Sequence, residues 1–350
     1  MSNIIDRRQF LRTLSSAGAG AALTVAGGSR ALAAPAADPN QPVAALDTRA
    51  YASVQRYALS MGGGNSGWIQ SAEGGRAHAM IVEERLGIDT IVRKHLASVR
   101  YDDVTVRGGS GMPQAVYDWI GATLARQQNR QDGCLMGLDA DYKTSSLLEF
   151  YGAQLIETGF PALDAASPEP GLLSLRFAPE FTRLHRARKL PPRVPALPAT
   201  HKGKRWLTSN FRLRIDGLED SCLSVRRIEP MNVRQPQNAN AAGEFRDYEI
   251  AAAPLQIPNL VVTLPEVRAD AFYDWFDDFV IKGNCGQDAE KNATLEMLAG
   301  NLKEVLFTLN FNNLGIFRMT PVTNPGGMNL IKVEMYCEDM GFAASPGVAA

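Results

Sequence analysis

The sequence predicts a mainly β fold of the α+β kind, built as two tandem domains. Each domain is expected to hold two packed antiparallel sheets, or a small barrel, with one helix at the rim. Three observations predict this. Apolar residues alternate along many short segments, the signature of half-buried strands. Each half carries one segment with helical spacing. The features of the first half recur, in order, in the second.

Strand signals come first. Tyr57, Leu59 and Met61 alternate ahead of Gly62-Gly63-Gly64. Val104 and Val106 alternate, as do Leu173, Leu175 and Phe177. In the second half Phe211, Leu213 and Ile215 lead into an Asp216-Gly217 turn. Val305, Phe307, Leu309 and Phe311 follow, then Ile331, Val333, Met335 and Cys337. Period-2 patterning places each set on one face of a sheet.

The helices read as Val116, Trp119, Ile120, Thr123 and Leu124 after Pro113, and as Ala269, Phe272, Tyr273, Phe276, Phe279 and Val280 before Gly283. Both follow the i, i+3, i+4, i+7 pattern, with proline opening one helix and glycine ending the other. The aromatic stripe is expected to pack in the core.

The repeat rests on spacing. Val116-Tyr117-Asp118-Trp119-Ile120 matches Phe272-Tyr273-Asp274-Trp275-Phe276 at an offset of 156 residues. Val104 and Val106 fall on Leu260 and Val262 at that same offset, and Leu172-Leu173 match Leu330-Ile331 at 158. The tract 187–206 between the halves holds Pro191, Pro192, Pro195 and Pro198 among basic residues and lacks both apolar periods. It is expected to be a solvated linker. The boundaries that follow are 50–186 and 207–343 for the domains, with a short tail at 344–350.

The first 33 residues form a separate unit. Asp6-Arg7-Arg8-Gln9-Phe10-Leu11-Arg12 is followed by an uncharged, Ala/Gly-rich stretch, then Arg30 and Ala31-Leu32-Ala33. A basic start, a weakly apolar stretch too short to span a bilayer and an A-x-A cleavage site describe an export signal. The segment resembles the twin-arginine signal, which implies recognition through Arg7, Arg8, Phe10 and Leu11; Ala31 and Ala33 form the A-x-A site, with the cut after Ala33. Asp6 stands where that signal usually has Ser or Thr. Residues 34–49 read as a flexible lead-in. The protein is expected in the periplasm or outside the cell, with no membrane span in the mature chain.

Composition narrows the functions. The chain of 350 residues is 45% hydrophobic and 21% charged, with 36 basic and 37 acidic side chains. Losing the signal leaves a small acidic excess, so no general nucleic-acid affinity is indicated. Four cysteines, Cys134, Cys222, Cys285 and Cys337, form no CxxC pair, and their spacing chooses among no disulfide pairings. The histidines His78, His95, His185 and His201 show no metal-ligand spacing. Asp139-Ala140-Asp141 sits at a turn and reads as a solvated loop. Asp102-Asp103 and Asp277-Asp278 are adjacent rather than opposed carboxylates, so acid/base work is not indicated. The loop Gly62–Gly67 lacks the Gly-Lys-Ser/Thr ending a phosphate cradle needs. No catalytic residue, cofactor or metal site is expected.

The body of the chain resembles the tail tube family of contractile phages and related injection systems. The resemblance lies at Arg93-Lys94-His95-Leu96, Val104 to Gly108 and the Tyr-Asp-Trp-Ile helix. It continues at Glu157 to Ser167, then at Phe211 to Gly217, Leu260 to Leu264, the Trp275 helix and Ile331 to Met340. It implies two packed sheets with one helix per domain and self-assembly into rings that stack as a tube. It also implies possible contact with other tail or injection-system components. Tube subunits of that family carry one such domain and stay in the cytoplasm, so the doubling and the export signal both depart from it. If each domain supplies one sixth of a ring, three chains close it. Two other readings stay open: a twin-arginine-exported periplasmic enzyme or binding protein without a recognisable motif, and an envelope scaffold using its β-edges.

Overall fold

The computed structural model describes residues 56–63, 66–85, 91–127, 129–186, 189–191, 194–197, 206–240, 249–322 and 327–345. The fold is mainly β, with antiparallel pairing throughout.

In the first half, β1 (Arg56–Met61) turns back into β2 (Ser66–Ile69), with Gly62 and Gly63 at φ 59° and 70°. Those left-handed angles are the reason glycine stands at the turn. Next come β3 (Ser71–Gly74), a ribbon of β4 (Ala77–Glu84) and β5 (Arg93–Tyr101), and β6 (Val104–Gly108). Helix α1 (Gln114–Leu124) follows Pro113 and buries Val116, Tyr117, Trp119, Ile120, Thr123 and Leu124. Then β7 (Gln131–Leu138), β8 (Thr144–Phe160), β9 (Leu163–Asp164), β10 (Leu173–Ala178) and β11 (Phe181–Arg186) complete the half.

The second half opens with β12 (Trp206–Ile215), a single helical turn (Glu219–Cys222), β13 (Arg227–Ile228) and β14 (Met231–Arg234). A ribbon of β15 (Gln237–Asn240) and β16 (Glu249–Ala252) leads to β17 (Leu260–Pro265). Helix α2 (Asp270–Phe276) continues into a π-helical turn (Asp277–Ile281). Strands β18 (Lys291–Ala299), β19 (Val305–Val322) and β20 (Leu330–Ala344) end the chain.

The two large sheets repeat one order. The first runs β2-β1-β7-β8-β10-β6-β3, and the second runs β12-β18-β19-β20-β17-β13-β9. From β1 and β12 onward the strands correspond one for one. The register corresponds as well. Val106 faces Leu175 as Val262 faces Val333, and Gly108 faces Leu173 as Leu264 faces Ile331. These are the positions that the offsets of 156 and 158 pair in the sequence.

Backbone outliers repeat too. A non-glycine residue at positive φ is uncommon, yet Tyr142 and Leu302 hold φ 60° and 57° at the tips of the β7–β8 and β18–β19 hairpins. Each of these residues donates its N–H to the carbonyl three residues back, Asp139 or Ala299. Gly152 and Asn313 hold φ 58° and 57° midway along β8 and β19. The kink lets β8 pair with β7 and β11 before it and with β10 and β14 after it.

The halves are joined by more than the linker. β14 of the second half pairs with β8, and β9 of the first half pairs with β13. One continuous hydrophobic core contains Trp119, Phe150 and Phe177 together with Trp206, Phe307 and Phe311. A smaller core on the other face of the first sheet groups Ala58, Cys134, Met136, Leu138 and Leu147.

The Pro-rich tract differs from the expectation of a solvated linker. Its Leu190, Val194 and Leu197 pack on the small core. That cover explains why β1 is buried on both faces from Ala58 to Met61 rather than alternating.

Candidate assembly interface

Helix α1 occupies the seam between the halves. Tyr117 packs on Phe307 of β19, with ring centroids 5.4 Å apart. Phe307 also meets Trp206 at 5.4 Å and Phe342 at 6.0 Å, and Phe342 meets Phe160 at 6.1 Å. The Phe307–Phe342 pair is stacked and the others are tilted or edge-on, all within the range of favourable aromatic packing. Gly121 lets the helix approach β20 closely, since a Cβ there would stand 3.3 Å from the Phe342 carbonyl oxygen. Arg126, just past the helix, pairs with Asp339 at 2.7 Å.

The polar groups of α1 in the seam are satisfied locally, whereas the buried Trp206 Nε1 has no hydrogen-bond partner among the described residues. Tyr117 donates its hydroxyl proton to the Gly109 carbonyl at 3.2 Å, and Trp119 Nε1 donates to the Asn129 carbonyl at 2.7 Å. Burial pushes the Tyr117 phenol well above its ordinary value. A hydroxyl that deep remains a neutral donor.

Helix α2 holds the same place in the second half but has one naked side. Phe272, Trp275 and Phe279 are buried, whereas Tyr273 is 38% exposed and Val280 39% exposed. Their counterparts Tyr117 and Leu124 are at most 2% exposed. The expected core face of α2 is therefore split. Phe272, Trp275 and Phe279 face their own sheet, and among the described residues no neighbouring sheet covers the Tyr273 side. Tyr273 donates to Glu266 at 3.2 Å, and Lys282 pairs with Asp277 at 3.1 Å. Lys291 lies 5.5 Å over the Trp275 ring.

The polar residues singled out in the sequence fall on surfaces and in turns. His78 pairs with Asp102 at 3.1 Å, His95 with Glu84 at 3.8 Å and His185 with Glu149 at 2.9 Å. Asp103 binds Arg176. Asp139 accepts the backbone N–H groups of Asp141 and Lys143 at 2.9 and 2.8 Å, an Asx turn at the hairpin tip. Among the described residues no group of three His, Cys, Asp or Glu side chains could hold a metal ion. No helix among them is long and apolar enough to cross a membrane. Arg7, Arg8, Phe10, Leu11, Ala31, Ala33 and His201 lie outside the described residues.

All four cysteines are free thiols. Cys134, Cys222 and Cys337 are buried and Cys285 is exposed. Burial raises each of the three buried thiols to about 11.

The naked side of α2 and the exposed β4–β5 ribbon were not legible in the sequence. The ribbon exposes Ile81, Leu96 and Val99 and, among the described residues, its two strands pair only with each other. Apolar alternation marks a strand but not whether a second layer covers it.

No protein-family model matches the chain, and no curated protein matches it. Solved structures are similar to part of it. One is the tube-terminating cap of the anti-feeding prophage, 19% identical over 38% of this chain and 89% of that one, TM-score 0.33. Another is the sheath–tube complex of the PVC extracellular contractile injection system, 17% identical over 38% and 89%, TM-score 0.33. A third is Hcp1 from Flavobacterium johnsoniae, 13% identical over 38% and 96%, TM-score 0.26.

Proposed function

We propose that the chain is a structural subunit that assembles with its own copies into a ring or tube, outside the cytoplasm, after twin-arginine export. The observation that carries this reading is the doubling of the fold. Strand order, cross-strand register and two left-handed backbone positions recur in both halves. One half's helix is seated on the other half's sheet. A contact between two equivalent units that are not related by closed twofold symmetry can be repeated, and such repetition yields rings or filaments. The resemblance of both halves to tail tube proteins points to the ring. With two units per chain, three chains make six.

In this reading the protein works as a wall or conduit and not as a catalyst.

Mass photometry of the mature protein, with negative-stain microscopy of the same sample, tests the reading. A species of three chains, seen as rings, stacks or tubes, is expected. A single chain at every accessible concentration overturns it.

A further inference from the structure

We infer that the exposed side of α2 docks on the β7–β8–β11 face of a second copy of this chain. The inference rests on the assembly reading above. Its warrant is internal, because the chain already contains the equivalent contact once, made by α1.

Helix α1 meets the second half at one end of a row of paired residues, Leu213, Leu295, Leu309 and Phe342, where Gly121 approaches Phe342 and Tyr117 packs on neighbouring Phe307. Directly paired residues project from the same face of a sheet. The corresponding row in the first half is Leu59, Leu135, Leu148 and Leu184. Helix α1 covers the Phe342 end of the first row, whereas in the second row Gly75 lies against Leu148 and the far end, Leu184, stays exposed. Leu184 is 38% exposed and borders a surface groove with Leu135, Leu148 and Ser146. Ser146 pairs with Gly137 where Phe307 pairs with Met297, so it stands where Phe307 receives Tyr117. A row open at its Leu184 end and a helix uncovered on its Tyr273 side thus occupy matching positions in the two halves.

The sizes are exchanged in a compensating way. In the seam, small Gly121 faces Phe342, and Phe307 fills the floor. At the open seat the helix position equivalent to Gly121 is Asp277. The sheet positions equivalent to Phe342 and Phe307 are the smaller Leu184 and Ser146. The groove left by Gly137 and Ser146 makes room for the Tyr273 ring.

Charge is complementary as well. The exposed surface of α2 and its π turn carries Asp270, Asp274, Asp277 and Asp278, with Lys282 paired to Asp277. The groove is lined by Arg76 and Glu73, and Arg186 shares the Leu184 face by strand alternation. Arg76 and Glu73 offset each other, so Arg186 is the cation left to meet the helix aspartates, and the four aspartates oppose helix-to-helix pairing.

The test is a cysteine pair, Leu184→Cys with Asp277→Cys, in the chain also carrying Cys285→Ser. These positions match Phe342 and Gly121, whose backbones already approach closely in the seam. Mild oxidation is expected to link separate chains into covalent multimers that reductant dissolves. Leu184→Asp, placed against the acidic helix, is expected to reduce assembly at least tenfold. It should leave the melting temperature of the single chain within a few degrees, because the side chain is exposed there. Assembled particles that neither cross-link nor respond to Leu184→Asp overturn this docking and leave the assembly reading intact. A wild-type chain that never associates overturns both.

Discussion

Tyr117 and Phe307 stand 5.4 Å apart, centroid to centroid, although one belongs to the helix of the first half and the other to a strand of the second. Phe307 is fully buried and touches Trp206 and Phe342 as well. Removing it leaves a cavity where both halves meet. Phe307→Ala is expected to cost about 3–5 kcal/mol, the usual range for a buried phenylalanine. The core is continuous, so near-ultraviolet and far-ultraviolet circular dichroism should follow one urea transition rather than two. Separate transitions for the halves would contradict the continuity of the core.

The paired kinks make a second prediction. Gly152 and Asn313 share a left-handed backbone at matched places in β8 and β19. Asn tolerates that conformation and β-branched residues do not. Gly152→Asn should therefore cost less than Gly152→Val by about 1–2 kcal/mol, the size of the left-handed penalty. Both substitutions press on the flexible carboxylate of Glu180, so the difference between them isolates the backbone contribution. Equal losses on chemical denaturation would count against the kink.

Thiol chemistry supplies a third. Cys285 is exposed, and the other three thiols are buried. In the native protein one thiol should react rapidly with a chromogenic disulfide, and four should react after unfolding. The same burial sets a pH dependence. Each buried thiol is raised from 9.0 to about 11, so the folded state keeps protons that the unfolded state releases. Stability from this source is complete below pH 9 and is lost as pH rises from 9 toward 11. Thermal melts across that range should show a decline that Cys134→Ala, Cys222→Ala and Cys337→Ala together flatten.

The strands were legible because their partners bury one face. Leu213 and Ile215, Phe307 to Phe311, and Ile331 to Met335 are buried on alternate residues as their pattern predicts. The repeat was legible because cross-strand register preserves spacing. Helical spacing puts Tyr273 on the core face, yet it is exposed, because periodicity does not say how many sheets flank a helix. Leu190, Val194 and Leu197 were hidden for the opposite reason. Prolines break both apolar periods, yet an extended proline-rich segment can still lay side chains on a sheet. The seat at Leu148 and Leu184 follows from comparing two halves of one structure, and no single residue pattern reveals it.

Export makes the last prediction. Long-range pairing dominates the fold, as where β9 reaches β13 and β14 reaches β8. Folds closed by distant contacts form slowly, because loop entropy is lost before contacts compensate. A route that carries folded chains suits such a protein, and the Arg7-Arg8 pair is the feature that would select it. Arg7→Lys with Arg8→Lys should retain the uncleaved protein in the cytoplasm, seen by fractionation and by the mass of the N-terminus. A chain that crosses folded should also lose export when its fold is weakened, so Phe307→Ala should lower the periplasmic fraction while the signal is intact. Normal periplasmic yield of the double-lysine variant would exclude the twin-arginine route. Normal yield of Phe307→Ala, with its destabilisation verified, would show instead that the chain crosses before it folds.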